Sequence, residues 1–349
     1  MNFSNLGSVL LALLMLSAMV TVHELGHFWT ARLFGFPVFE FAVGFGPRIL
    51  KRKTKKGTVV SLRAFPFGGF VAFENEETVT SGNLTFNKKP LWQRFLVILA
   101  GPVTNILLAF LVAFMTLSVV GLPVSTTGVD GFSENSPAEQ AGLKRGDVIA
   151  VVNGQEIDGD VSLMRECVQR NPGEPIALIV ERDGQRIDFI IKPYFDEQSQ
   201  SWMVGINLAQ TTQRFGLGQS VKAAAVWIGS MIGALVSFLA GLFTRGEGAG
   251  DVMGVVGAVT VMSNTAQTQH ISDFMTLVAF ISMNFGVFNL IPFPALDGSK
   301  IVLMGVELIR KKPISPEKEG IVQLVGLVIF FALFLLLTYR DIMRLVTGG

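Results

Sequence analysis

The sequence predicts a polytopic α-helical membrane protein with four transmembrane helices, a cytoplasmic, membrane-associated β-hairpin region and one folded α+β module outside. Three observations carry this. Half of the 349 residues are hydrophobic and only 16% are charged, against roughly 25% in soluble domains. The deficit is concentrated in five long runs of the length a bilayer-crossing helix needs, about 20 residues. The basic residues gather in two of the segments between them, which sets an orientation.

The runs are Met1–Val22, Phe95–Leu122, Ala223–Thr244, Phe274–Leu296 and Ile321–Tyr339. The first lacks a basic start and a small-residue cleavage site, so it reads as a retained span rather than a cleaved signal peptide. Between the first two runs lie Arg48, Lys51, Arg52, Lys53, Lys55, Lys56, Arg63, Lys88, Lys89 and Arg94. That segment is expected in the cytoplasm, with the N-terminus outside. Lys300, Arg310, Lys311, Lys312 and Lys318 place the last linker in the cytoplasm too. An odd crossing between the second and fourth runs would invert the fourth. The Gly/Ser-rich stretch 223–244 is therefore expected to lie along or dip into the outer face, or to pack on the other helices. The alternative is a fifth span paired with Val252–Met262, which is only about half the length required. The expected divisions are 1–122, the first membrane half; 123–197, the outer module; 198–272, an extracytoplasmic linker; and 273–349, the second membrane half. A net charge of +1 gives no sign of nucleic-acid binding. The single cysteine, Cys167, excludes a disulfide framework and a cysteine metal site, and reads as a small buried residue.

The chemistry sits where the first run ends, in His23-Glu24-Leu25-Gly26-His27. Residues four apart share a helix face, so both imidazoles can reach one ion, with Glu24 beside them as a base. The plainer reading, a polar helix end, fits poorly, because two histidines and a glutamate at membrane depth cost free energy unless paired or bound. Catalytic zinc takes three protein ligands. The best third candidate is Asp297, at the end of an apolar run in Asn289-Leu-Ile-Pro292-Phe-Pro294-Ala-Leu-Asp297-Gly298, on the same cytoplasmic end as the histidines. The two prolines break the helix before it. His270 is expected outside and is a poor ligand, and Glu40 lies in a Gly/Phe-rich segment.

These two motifs together resemble the site-2 proteases, the zinc metalloproteases of regulated intramembrane proteolysis, and are closest to the bacterial regulator of sigma-E protease branch. Gly44-Phe45-Gly46-Pro47, Phe67-Gly68-Gly69-Phe70-Val71, Gly101-Pro102-Val103-Thr104-Asn105 and Ser282-Met283-Asn284 support the match. The resemblance implies Zn2+ held by His23, His27 and Asp297, with Glu24 as general base. It implies that Asn284 and Asn289 hold unwound substrate backbone; Asn105 reads as packing near the site. It implies substrates that are single-span membrane proteins, such as anti-sigma factors and remnant signal peptides, and a location in the bacterial inner (cell) membrane.

Within Phe36–Glu74, the pieces Val38–Val43 and Thr58–Ala64 read as strands, followed by Phe67–Phe73 with turn-forming Gly68-Gly69. In the family such a segment is a small sheet whose edge, at Gly68, Gly69 and Phe70, could pair with an extended substrate. In the outer module, Ser136-Pro137-Ala138-Glu139 starts a short helix. Asn153-Gly154 and Asp183-Gly184 mark tight turns. The run Gly142-Leu143-Lys144-Arg145-Gly146-Asp147-Val148-Ile149, continuing to Asn153-Gly154, resembles a bacterial PDZ domain, which would bind a peptide or chain end by strand addition or filter substrates by size.

Overall fold

The computed structural model describes residues 3–73, 86–197, 199–246, 248, 254–265, 270–312 and 314–347. In chain order the helices are α1 (Phe3–Leu33), α2 (Leu91–Met115, prolonged by a π-helical turn, Thr116–Val120), α3 (Pro137–Gln140), α4 (Val161–Gln169), α5 (Leu217–Arg245), α6 (Val255–Thr265), α7 (Ile271–Asn289), α8 (Asp297–Arg310) and α9 (Pro316–Thr347). The strands are β1 (Glu40–Lys53), β2 (Val59–Ala72), β3 (Leu122–Phe132), β4 (Val148–Val152), β5 (Gln155–Glu156), β6 (Ile176–Arg182), β7 (Gln185–Ile191), β8 (Tyr194–Asp196), β9 (Ser201–Met203) and β10 (Ile206–Gln213). They form two compact units, Met1–Val120 with Phe215–Gly349, and Gly121–Arg214.

The first unit is a helical bundle. Small residues on α2 let its neighbours approach closely, the usual packing logic of helices in lipid. A Cβ on Gly26 of α1 would lie 2.2 Å from Thr104 Oγ1 and 2.4 Å from the Ala100 oxygen of α2. On another face of α2, Ala109 meets Ile228 and Met283, while Ala113 meets Ala224 and Ala279. These two layers stack α5 and α7 against α2. Among the described residues five helical segments are long and apolar enough to cross a membrane: Leu10–Leu33, Leu91–Val120, Leu217–Leu242, Ile271–Asn289 and Glu317–Met343. Helix α5 is thus continuous, long enough to span, and packed on the bundle. By length and packing nothing separates it from a span, and the sequence argument against it rests on charge parity alone. Val252, the start of its expected partner stretch, lies outside the described residues.

The expected run Phe274–Leu296 is shorter as a helix. Helix α7 stops at Asn289, because Pro292 and Pro294 lack amide donors and their rings clash with a preceding helical turn. The chain turns and restarts at Asp297, which opens α8 instead of closing a span.

Strands β1 and β2 fold into four short segments. Phe41 lies between Val60 and Val71, and Val43 between Leu62 and Gly69, while Arg48 to Lys53 run back along Arg63 to Val59. The expected pieces of strand are present, and Arg48–Lys53 adds one. Glu74, the expected end of this region, lies outside the described residues. Segment Gly69–Ala72 pairs along one side only among the described residues. The sheet is held by Glu40, whose carboxylate accepts from Arg48 at 2.6 Å, Ser61 at 2.6 Å and Arg63 at 2.9 Å. Burial alone would raise its pKa, but the hydrogen bonds from Arg48, Ser61 and Arg63 outweigh that and hold it at about 2. A carboxylate depressed in the fold contributes stability that is complete above its unfolded value, near 4.3, and is lost as pH falls toward the folded one. Amide exchange at Phe41–Val43 is therefore expected to accelerate between about pH 4 and pH 2, and Glu40→Gln is expected to flatten that response.

The second unit is a sheet in the order β10-β3-β4-β6-β7, with β5 on β4. Its core holds Val129, Ile149, Val152, Met164, Cys167, Ile176, Leu178 and Val180. Cys167 is buried, as expected. Ser136 caps α3 by accepting from the Glu139 amide, and Asn153-Gly154 and Asp183-Gly184 turn with positive φ. The unit reaches Arg214 rather than residue 197. In Ile206–Gln213 the apolar alternation is limited to Ile206 and Leu208, too short to mark a strand, yet the stretch pairs with β3 from Leu122↔Gln213 to Phe132↔Ile206.

Candidate metal centre

On α1, His23 and His27 lie one turn apart and are about 5% exposed. Their rings stand edge to face, 4.8 Å between centroids. The chain brings Asp297 to them across 270 residues of sequence. Its Oδ2 lies 2.9 Å from His23 Nε2 and 3.1 Å from His27 Nε2, and the two Nε2 atoms are 3.2 Å apart. Tetrahedral ligation by N and O at about 2.0–2.1 Å sets ligand atoms roughly 3.3 Å apart, close to this triangle. The donor chemistry points the same way. One proton can bridge only two of these three acceptors, whereas one cation satisfies all three.

The loop before Asp297 is held in place. Ala295 has φ +77°, a left-handed conformation that a residue with a Cβ adopts only under constraint. The constraint comes from Gln323 of α9, whose Oε1 accepts from the Ala295 amide at 2.7 Å and whose Nε2 donates to Ser299 Oγ at 3.0 Å. At the far end of α8, Glu307 accepts from the buried Arg94 of α2 at 2.5 Å. Asp297 also benefits from its place in the first turn of α8, where a helix favours negative charge.

The opposing face is a single stripe on α2. Val97, Gly101 and Asn105 are spaced by four and meet the two histidines in turn. The Val97 carbonyl accepts from His27 Nδ1 at 2.8 Å. A Cβ on Gly101 would lie 2.4 Å from His27 Nε2 and 2.8 Å from His23 Nε2, so only glycine leaves room for both rings. Asn105 is fully buried, with its amide nitrogen 3.4 Å from His23 Nδ1. From sequence alone Gly101 and Asn105 stand only in a motif that supports the family match, with Asn105 as packing near the site. The four-residue stripe they share with Val97 was the available signal.

Glu24 is half-buried beside His23, and a Cβ on Gly69 would sit 3.6 Å from its Cγ. The one-sided segment Gly69–Ala72 thus begins at Glu24. Gly68 turns with φ +77° beneath the Phe45 ring, which stacks on Phe70. The two helix-7 asparagines are elsewhere engaged: Asn284 donates to the Phe280 carbonyl at 3.0 Å and Asn289 to the Phe285 carbonyl at 2.8 Å. His270 precedes the first turn of α7, at the helix end remote from Asn289. Glu40 is committed to its arginines.

The family model for peptidase family M50 matches residues 11–333. FN1322 of Fusobacterium nucleatum, named as a zinc metalloprotease, is 32% identical over 96% of this chain and 98% of its own. The Regulator of sigma-W protease RasP of Bacillus subtilis is 26% identical over 97% of this chain and 99% of its own. Among solved structures, the PDZ domain of an SdrC-like protein from Listeria innocua is 19% identical, covers 26% of this chain and 99% of that one, and has a TM-score of 0.22. With one family matched along nearly its whole length, the chain belongs to peptidase family M50, the site-2 proteases, and is a zinc metalloprotease.

Proposed function

We propose that this chain hydrolyses peptide bonds within or beside the transmembrane helix of single-span membrane proteins, with His23, His27 and Asp297 as zinc ligands and Glu24 as general base. The observation that carries the reading is the convergence of His23 Nε2, His27 Nε2 and Asp297 Oδ2 within 3.2 Å of one another. Zinc, when bound, supplies Lewis acidity to a water and to the scissile carbonyl. Glu24 takes the proton from that water and returns it to the leaving amine. The carbonyl of Val97 holds the His27 ring.

A transmembrane helix hides its amides in its own hydrogen bonds, so it must be opened before it can be cut. The one-sided segment Gly69–Ala72 offers backbone partners to the opened strand, with Gly68, Gly69 and Phe70 leading it past Glu24. Asn284 and Asn289, on the helix that leads into the Asp297 loop, exchange their intrahelical bonds for substrate amides and carbonyls. The basic β-region faces the cytoplasm and the Gly121–Arg214 unit faces outside, in the bacterial inner (cell) membrane. Helices α1, α2, α7 and α9 make the four crossings, and α5 lies along or dips into the outer face, or packs on the other helices. The outer unit is a PDZ domain. Its edge strand β10 and helix α4 border a cavity of about 780 Å3 lined by Met164, Val168, Ile206 and Leu208, which takes a peptide or chain end. Anti-sigma factors are the substrates this reading favours, in keeping with the sigma-W regulation in the RasP name, beside remnant signal peptides.

The test is cleavage of a candidate single-span protein by the purified chain in lipid vesicles. The expected result is a cut at the membrane segment that a zinc chelator stops and added zinc restores. Purified protein that holds no metal, or cleavage that survives Asp297→Ala, refutes the assignment.

A further inference from the structure

Asn105 is fully buried and its Nδ2 lies 3.4 Å from His23 Nδ1, while its Oδ1 is buried without a hydrogen-bond partner among the described residues. Its main chain is fixed, because Ser282 Oγ donates to the Asn105 carbonyl at 2.9 Å. The two ends of this contact are chemically linked. With Nδ2 toward the ring, His23 Nδ1 must accept, so the imidazole proton sits on Nε2 and points at Asp297, where it blocks ligation. A half-turn of the amide plane exchanges the two atoms. Oδ1 then accepts from His23 Nδ1–H, the orphaned oxygen gains a partner, and the Nε2 lone pair faces Asp297 and His27. The neighbouring ligand already has this arrangement, since His27 Nδ1 donates to the Val97 carbonyl. Histidine ligands generally donate their second ring N–H to such an acceptor, which fixes tautomer and orientation.

We propose that Asn105 is the positioning residue of this centre: its side-chain oxygen accepts from His23 Nδ1–H and so selects the tautomer that ligates zinc through Nε2. The inference rests on the zinc-ligand reading above. It makes the α2 stripe a matched pair of acceptors, one in the main chain for His27 and one in a side chain for His23.

The experiment is zinc affinity of the full-length purified chain, by competition with a chromophoric chelator, for the parent, Asn105→Leu and Asn105→Asp. Leucine fills the space without an acceptor and is expected to weaken zinc about 10–100-fold. Aspartate restores an acceptor and is expected to stay within a few-fold of the parent. Parent-like affinity in Asn105→Leu overturns the inference. So does equal weakening in both variants at unchanged melting temperature, which would mark a packing role. A second readout needs no variant. The chain has only three histidines, and 15N-histidine spectra of the zinc-loaded parent should show both site rings protonated at Nδ1. A His23 ring protonated at Nε2, or ligating through Nδ1, refutes the inference even if Asn105→Leu does not fold. A parent that binds no zinc refutes the ligand assignment itself, a separate outcome.

Discussion

Replacing Glu24 with Gln is expected to lower the cleavage rate by about 10²–10⁴-fold while leaving one zinc per chain. Glutamine matches glutamate in size and keeps α1 intact, but it cannot take a proton from water. Glu24 is not one of the three converging ligand atoms, so the metal has no reason to leave. Single-turnover cleavage of a vesicle-embedded substrate, with zinc measured on the same sample, separates the two quantities. Undiminished cleavage would remove Glu24 from the mechanism.

Gly101→Ala is expected to abolish cleavage and to weaken zinc by about 100-fold, the upper end of the range seen when the support of a metal ligand is disturbed. The new Cβ would sit 2.4 Å from His27 Nε2 and 2.8 Å from His23 Nε2, inside any real contact distance. The backbone of α2 cannot retreat, because its Val97 carbonyl is bonded to His27 and its Asn105 carbonyl to Ser282. The imidazoles must therefore move. By helix propensity alone the same change is favourable by about 1 kcal/mol, so a loss of zinc cannot be blamed on a weaker helix. Gly233→Ala in α5, where nothing lies within 4 Å of the added carbon, is the control and should leave zinc and cleavage unchanged. A zinc-replete Gly101→Ala protein would show that the rings have room to spare.

Much of this was legible in the sequence because it rests on short-range rules. His23 and His27 share a face by the period of the helix, and the tight turns at Asn153-Gly154 and Asp183-Gly184 follow from backbone freedom. Asp297 was found by its polarity beside an apolar run, though its place at the start of α8 depends on how the two prolines turn the chain. What escaped were features defined by a neighbour. Gly101 is a space whose purpose shows only when two imidazoles fill it. Asn105 is one asparagine in an apolar run until His23 faces it. Strand β10 is polar and half-exposed, and only pairing with β3 makes it part of the sheet. The status of α5 is a fourth case, since composition cannot distinguish a helix that crosses from one that rests on others.

The Gly121–Arg214 unit begins and ends as neighbours, with Leu122 opposite Gln213. Just beyond it, the Phe215 amide donates to the Leu117 carbonyl at 3.0 Å. In sequence terms, the ninety-odd residues between are therefore an insertion whose two ends meet. Exchange of that insertion leaves the two halves that supply the histidines and the aspartate spliced at the same point, so its sequence can be revised without rebuilding the ligand set.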